Sequence, residues 1–163
     1  MKNKIAITQV FIYFFFIFFL NKAFTEELIF NATEINTSDN ENIVKAINGV
    51  NIVDTNGLVI NGDRAEYNKK KSILKVTGSV VAIDKNNKII LKAKEITYLR
   101  LLNIIKTKNF TTIEVDKKHT IETSDLLYNG NLKFISSKNK TKIKDLYNNQ
   151  IDVSEFDYSI INK

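Results

Sequence analysis

The sequence predicts an all-β fold, a sandwich, roll or solenoid of repeated antiparallel strand pairs, placed behind an N-terminal export segment. Three observations carry that expectation. Tyrosines recur at Tyr67, Tyr98, Tyr128 and Tyr158, spaced 31, 30 and 30 residues apart, and each closes a similar phrase. Strand-like runs rich in Ile, Leu and Val come before each phrase, and turn-forming residues separate the runs. The first residues of the chain are basic and then strongly apolar.

Met1–Lys4 is the basic stretch, and apolar residues run from Ile5 to Leu20, broken only by Thr8 and Gln9. This is the order of the n-region and h-region of a secretory signal, and it is slightly short for a membrane span of about 20 apolar residues. Cleavage after Thr25 places Ala23 at the −3 position, whereas cleavage after Ala23 places Asn21 there. Residues 1–25 therefore read as a signal peptide, with an uncleaved single-span anchor as the alternative. Residues 26–163 then form one extracytoplasmic domain.

The repeat supplies the strands in order. Ile43-Val-Lys-Ala-Ile-Asn-Gly49 answers Ile73-Leu-Lys-Val-Thr-Gly78, and the β-branched runs Val50–Val53 and Val80–Ile83 follow them. Leu58-Val-Ile-Asn-Gly-Asp-Arg-Ala-Glu-Tyr67 aligns with Ile89-Ile-Leu-Lys-Ala-Lys-Glu-Ile-Thr-Tyr98. His119-Thr-Ile-Glu-Thr-Ser-Asp-Leu-Leu-Tyr128 is the third copy, and the fourth keeps Ile151, Val153, Phe156 and Tyr158 in register. Residues 104–115 and 132–143 continue the intervening strands, with Asn109 and Ser137 near the glycine position. Turns are expected at Asp54–Gly57, Asn68–Lys71, Asp84–Asn87, Asp116–Lys118 and Asn129–Asn131. Leu99–Lys106 lacks alternation and admits a short helical turn.

The phase within each phrase adds a bend. Leu58 and Ile60 share one strand face, as do Ile89 and Leu91. Ala65 and Tyr67, and likewise Ile96 and Tyr98, fall on the opposite parity. Both sets reach one core only if the strand changes phase near 62–65 and 93–96, and Gly62 suits a bulge there.

Composition narrows the chemistry. The absence of cysteine and the single histidine, His119, remove disulfides, thiol nucleophiles and multi-histidine metal sites. There is no Gly-x-Ser-x-Gly sequence, so an enzyme is not expected, nor is any cofactor or metal. The net charge of +6 includes Lys2, Lys4 and Lys22, and the mild remainder needs no polyanion partner. An exported chain without an aromatic–basic module is not a nucleic-acid binder. His119 opens a strand and is expected to be exposed.

The phrase Gly62-Asp-Arg-Ala-Glu-Tyr67 with Lys69, followed by Ile73-Leu-Lys-Val-Thr-Gly78-Ser-Val80, resembles the OstA-like family of lipopolysaccharide-transport proteins. That family comprises the periplasmic bridge protein LptA, the membrane-anchored LptC and the N-terminal domain of the LptD translocon. The resemblance covers residues 28–163. It departs from the family pattern at Gly62, where alanine is usual, and at Ser79, where asparagine is frequent. Lys138-Asn-Lys-Thr-Lys142 and Phe156-Asp-Tyr158-Ser look closest to the translocon domain, and a free bridge protein stays open beside it.

The resemblance implies a twisted open β-jellyroll whose sheets part around an apolar groove. It implies transport of lipopolysaccharide across the periplasm to the outer membrane, with lipid A acyl chains sheltered inside. Other Lpt jellyroll domains would join it head to tail by edge-strand pairing. The groove candidates are Ile52, Leu58, Ile60, Leu74, Val76, Ile83, Ile89, Leu91, Ile121 and Phe134; filling a closed core is their plainer role. The tyrosines are expected to be structural, with rings in the core and hydroxyls at the rim. The alternative is an extracytoplasmic solenoid-like repeat protein that binds no lipid.

Overall fold

The computed structural model describes residues 28–160, so the segment read as an export signal, 1–25, lies outside the described residues. Thirteen strands form one sheet, and every pairing in it is antiparallel. The short strands β1 (Ile29–Asn31) and β2 (Glu34–Ser38) bond to different halves of β3 (Ile43–Val53). A meander of β4 (Leu58–Asn68), β5 (Ile73–Asp84), β6 (Ile89–Leu99) and β7 (Ile104–Val115) follows. Beyond β7 the strands divide. β8 (His119–Ser124) and β9 (Leu127–Asn129) take the two halves of β7. β10 (Phe134–Ser137) pairs with β9, and β11 (Thr141–Asp145) pairs with β8. β12 (Gln150–Val153) and β13 (Phe156–Ser159) complete them, on β11 and β10 respectively.

Local chemistry explains the boundaries. Asp54, Asn68, Asp84 and Asn129 each accept a backbone N–H two or three residues ahead, which closes the turns expected at those positions. The non-alternating Leu99–Lys106 stretch splits into a 3₁₀ turn at Arg100–Leu102 and the start of β7, with Asn103 at φ 52° ending the turn.

Strands of eleven or twelve residues are about twice the usual length. Each of them bends in its middle. The register slips between Ile47 and Val50, Asn61 and Arg64, Thr77 and Val80, and Ala93 and Glu95. Leu58 and Ile60 are buried before the slip, and Ala65 and Tyr67 after it; β6 repeats this with Ile89 and Leu91, then Ile96 and Tyr98. The phase change read from the sequence is therefore present in both strands.

The left-handed residues lie on the other strands of each pair: Asn48 and Gly49 in β3, Gly78 and Ser79 in β5, Asn109 in β7. Gly62 serves differently from a φ-permissive bulge. A Cβ there would lie 2.5 Å from Val76 Cγ1, so glycine lets β4 and β5 approach at the bend. The bends give the sheet two halves. The first holds Val50–Val53, Leu58–Asn61, Val80–Asp84, Ile89–Ala93, the end of β7, β8, β11 and β12. The second holds the remaining strand halves with β9, β10 and β13. Buried side chains from both halves form one contiguous core.

Candidate functional site

The interior between the two halves is the candidate site. Eight of the ten groove candidates, Ile52, Leu58, Ile60, Leu74, Val76, Ile89, Leu91 and Ile121, point into it and are at most 3% exposed. Strand alternation explains why they converge, since each lies on the inward parity of its half. Ile83 and Phe134 do not join them. Ile83 alternates with buried Ala82 and Asp84, and Phe134 precedes buried Ile135, so both half-buried side chains stand on the opposite face.

The four repeated tyrosines lie in the second half, and the two middle ones reach the turns of the first. Tyr98 Oη donates to Asp54 Oδ2 at 2.6 Å, and Tyr128 Oη donates to Asp84 Oδ2 at 2.6 Å. Asn87 Nδ2 crosses the same seam to Tyr128 Oη and to the Gly130 carbonyl, at 2.8 and 3.1 Å. At the two ends, Tyr67 meets the Phe30 ring at 6.0 Å, and Tyr158 meets His119 at 6.1 Å. His119 is thus half-buried beside an aromatic ring rather than exposed. Burial, then the hydrogen bond to a carboxylate, pushes the pKa of Tyr98 and of Tyr128 far above the ordinary phenol value. Both phenols stay protonated as donors, and their buried acceptors Asp54 and Asp84 are held by turn groups as well.

The bend has its own polar lining, which sequence reading missed. Thr111 Oγ1 donates to Thr107 Oγ1 at 2.7 Å, and the Leu126 N–H donates to Thr107 Oγ1 at 2.9 Å. Thr141 Oγ1 donates to Thr123 Oγ1 at 2.8 Å, which donates to Ser137 Oγ at 3.0 Å. These hydroxyls occupy the place where β8 parts from β9 and β10 parts from β11. They satisfy backbone groups that a continuous ladder would have paired, such as the Ser124 carbonyl bound by Ser137 Oγ at 2.7 Å. Among the described residues, no group of three or more His, Asp or Glu is placed to hold a metal ion.

Among the described residues the sheet does not close on itself: β1 and β2 bond only to β3, at one end, and β12 and β13 bond only to β11 and β10, at the other. A roll with an apolar interior and two unclosed ends is the arrangement to compare with known proteins. No family model matches the chain, and no curated protein matches its sequence. Among solved structures, it is similar to LptH of Pseudomonas aeruginosa, the LptA-homologous periplasmic component of the conserved lipopolysaccharide transport device. The TM-score is 0.52 at 11% identity, over 77% of this chain and 81% of that one. The two chains share a fold. That fold is thus reached here by a sequence 11% identical to that of LptH.

Proposed function

We propose that this chain is a periplasmic, non-enzymatic component of lipopolysaccharide transport, exported by residues 1–25 and carrying lipid acyl chains between the two halves of its roll. The observation that carries the reading is the continuous apolar interior of an open-ended jellyroll, a fold shared with LptH. Each methylene taken out of water is worth about 0.8 kcal/mol, so a lipid with several acyl chains needs an unbroken dry path. Ile52, Leu58, Ile60, Leu74, Val76, Ile89, Leu91 and Ile121 would line that path. Ile83 and Phe134 would meet lipid only by contacts outside it. The interior is closely packed, so acyl chains enter by parting the two halves, and the bonds of Tyr98 and Tyr128 are what must yield. The unpaired edges at either end would join other jellyroll domains of the Lpt type head to tail. A free bridge protein and a translocon domain would each make use of such a groove and such edges.

The close packing also favours a second reading, a structural β-repeat domain that binds no lipid. One experiment separates them. The full chain is expressed in a Gram-negative host with a photocrosslinking residue at Ile60 or Leu91, and an equivalent at exposed Lys94 as control. Transport predicts lipopolysaccharide adducts at the two inward positions and none at Lys94. A folded protein with no inward adduct would leave the structural reading standing and sink transport.

A further inference from the structure

Three adjacent turns of the second half are stitched into one rim. The Arg100 N–H donates to the Ser72 carbonyl at 3.1 Å, and the Gly130 N–H to the Asn103 carbonyl at 2.9 Å. Asn131 Nδ2 reaches the Leu102 carbonyl at 3.4 Å. Turn tips favour Gly, Asn, Asp and Ser, whose side chains serve the backbone. This rim instead carries Leu101, Leu102 and Leu132, which are 76%, 57% and 73% exposed. Nothing in the core requires them, and exposed apolar side chains gathered on neighbouring tips mark a contact surface. Lys69, Lys70 and Lys71 occupy the next tip, and Lys133 follows Leu132. No acidic residue lies in 68–72, 99–103 or 129–133. Lys70 approaches Asp39 of the adjoining turn only at 3.9 Å, with both side chains largely exposed.

We infer that this rim docks on the surface of a bilayer carrying anionic lipids. The leucines enter the boundary between headgroups and acyl chains, and the lysines meet the phosphates. Protruding leucines beside four lysines, opposed by only Asp39 and Glu41 of the adjoining turn, complement a soft, negatively charged surface. A protein partner would need a flatter patch with fewer charges at its centre. The inference does not rest on acyl chains entering the roll, so either can fail alone.

The absence of cysteine makes the test site-specific. Leu101→Cys, Leu132→Cys and, on the bend side, Lys94→Cys are each labelled in the full chain with an environment-sensitive dye. They are mixed with vesicles of phosphatidylglycerol and phosphatidylethanolamine, or of phosphatidylcholine alone. Docking predicts a blue shift at positions 101 and 132 with the anionic vesicles only, weakened by salt and absent at 94. Replacing Lys69, Lys70 and Lys71 together with Gln should lower the partition onto those vesicles by on the order of tenfold or more. No shift at 101 and 132, or the same shift at 94, overturns the inference. So does an equal response to neutral vesicles, or a shift that follows protein concentration without vesicles, which would mean self-association.

Discussion

Tyr98 and Asp54 lie 44 residues apart and meet at 2.6 Å across the seam of the roll, and Tyr128 and Asp84 repeat the contact at the same separation. The bond fastens one half of the sheet to the other. Tyr98→Phe removes a donor from a carboxylate that is 3% exposed, a loss of about 2 kcal/mol for a buried acceptor. Urea unfolding of Tyr98→Phe, Asp54→Ala and the double variant measures the coupling directly. A coupling above about 0.5 kcal/mol is expected; strictly additive losses would mean the bond fastens nothing.

The same pairs make stability depend on alkaline pH. Folding raises both phenol pKa values above the unfolded value near 10. The tyrosine contribution is therefore complete below pH 10 and is lost as pH climbs above it. There the unfolded chain releases protons that the folded chain keeps. The slope is about −1.4 kcal/mol per pH unit for each tyrosine. Compared with wild type, the Tyr98→Phe/Tyr128→Phe variant should show a flatter decline above pH 10. Parallel curves would contradict the assignment.

Two bend glycines separate backbone strain from crowding. Gly49 and Gly78 share a left-handed backbone, at φ 82° and 79°. An added Cβ meets nothing within 4 Å at Gly49, whereas at Gly78 it runs into the Asp63 side chain. Gly49→Ala should cost about 1 kcal/mol, from conformation alone. Gly78→Ala should cost about twice that, because Asp63 must also be displaced. Equal thermal shifts for the two would show that the Asp63 contact is immaterial.

The hydroxyl chain at the bend predicts a graded loss. Thr123→Val preserves shape but removes the link between Thr141 and Ser137, while both keep backbone acceptors. The expected cost is about 1 kcal/mol by chemical denaturation. Hydrogen exchange should quicken locally around β8 and β11. A variant as stable and as protected as wild type would remove the chain from the list of features that hold the bend.

Head-to-tail association should respond to charge on the edges. Ile35 on β2 and Ile151 on β12 are 46% and 60% exposed on strands bonded from one side. Lysine at both positions blunts strand addition. Sedimentation should show assemblies of the native chain shifting to monomer in Ile35→Lys/Ile151→Lys. Assemblies that persist unchanged would place the contact elsewhere.

The positions of the main strands, their turns and their phase changes were legible, though not the strands' length, because alternation, Asx chemistry and a thirty-residue period all act within short stretches of chain. The tyrosines could be recognised as structural, but not their partners. Asp54 and Asp84 read as turn residues, and only the folding of one half onto the other brings them to phenols of a later copy. Ile83 and Phe134 misled because apolar content suggested an inward face, whereas parity relative to Ala82 and Ile135 decides it. The hydroxyl chain left no trace in the sequence. Threonine suits any strand, and its role appears only where two strand pairs part. β1 is too short and β2 too polar to have been anticipated, and both are ordered by bonding to β3.

The offset of the tyrosine bonds has a consequence for how such a chain can change length. Tyr98 and Tyr128 each fasten to the turn of the copy before their own, so the middle copies overlap like courses of brick and no clean joint runs between them. Removing the thirty residues 70–99 would set Tyr128 the same 44 residues after Asp54 that Tyr98 is now. Removing half that number would break the spacing. The middle of the chain can therefore grow or shrink without losing these bonds only in full steps.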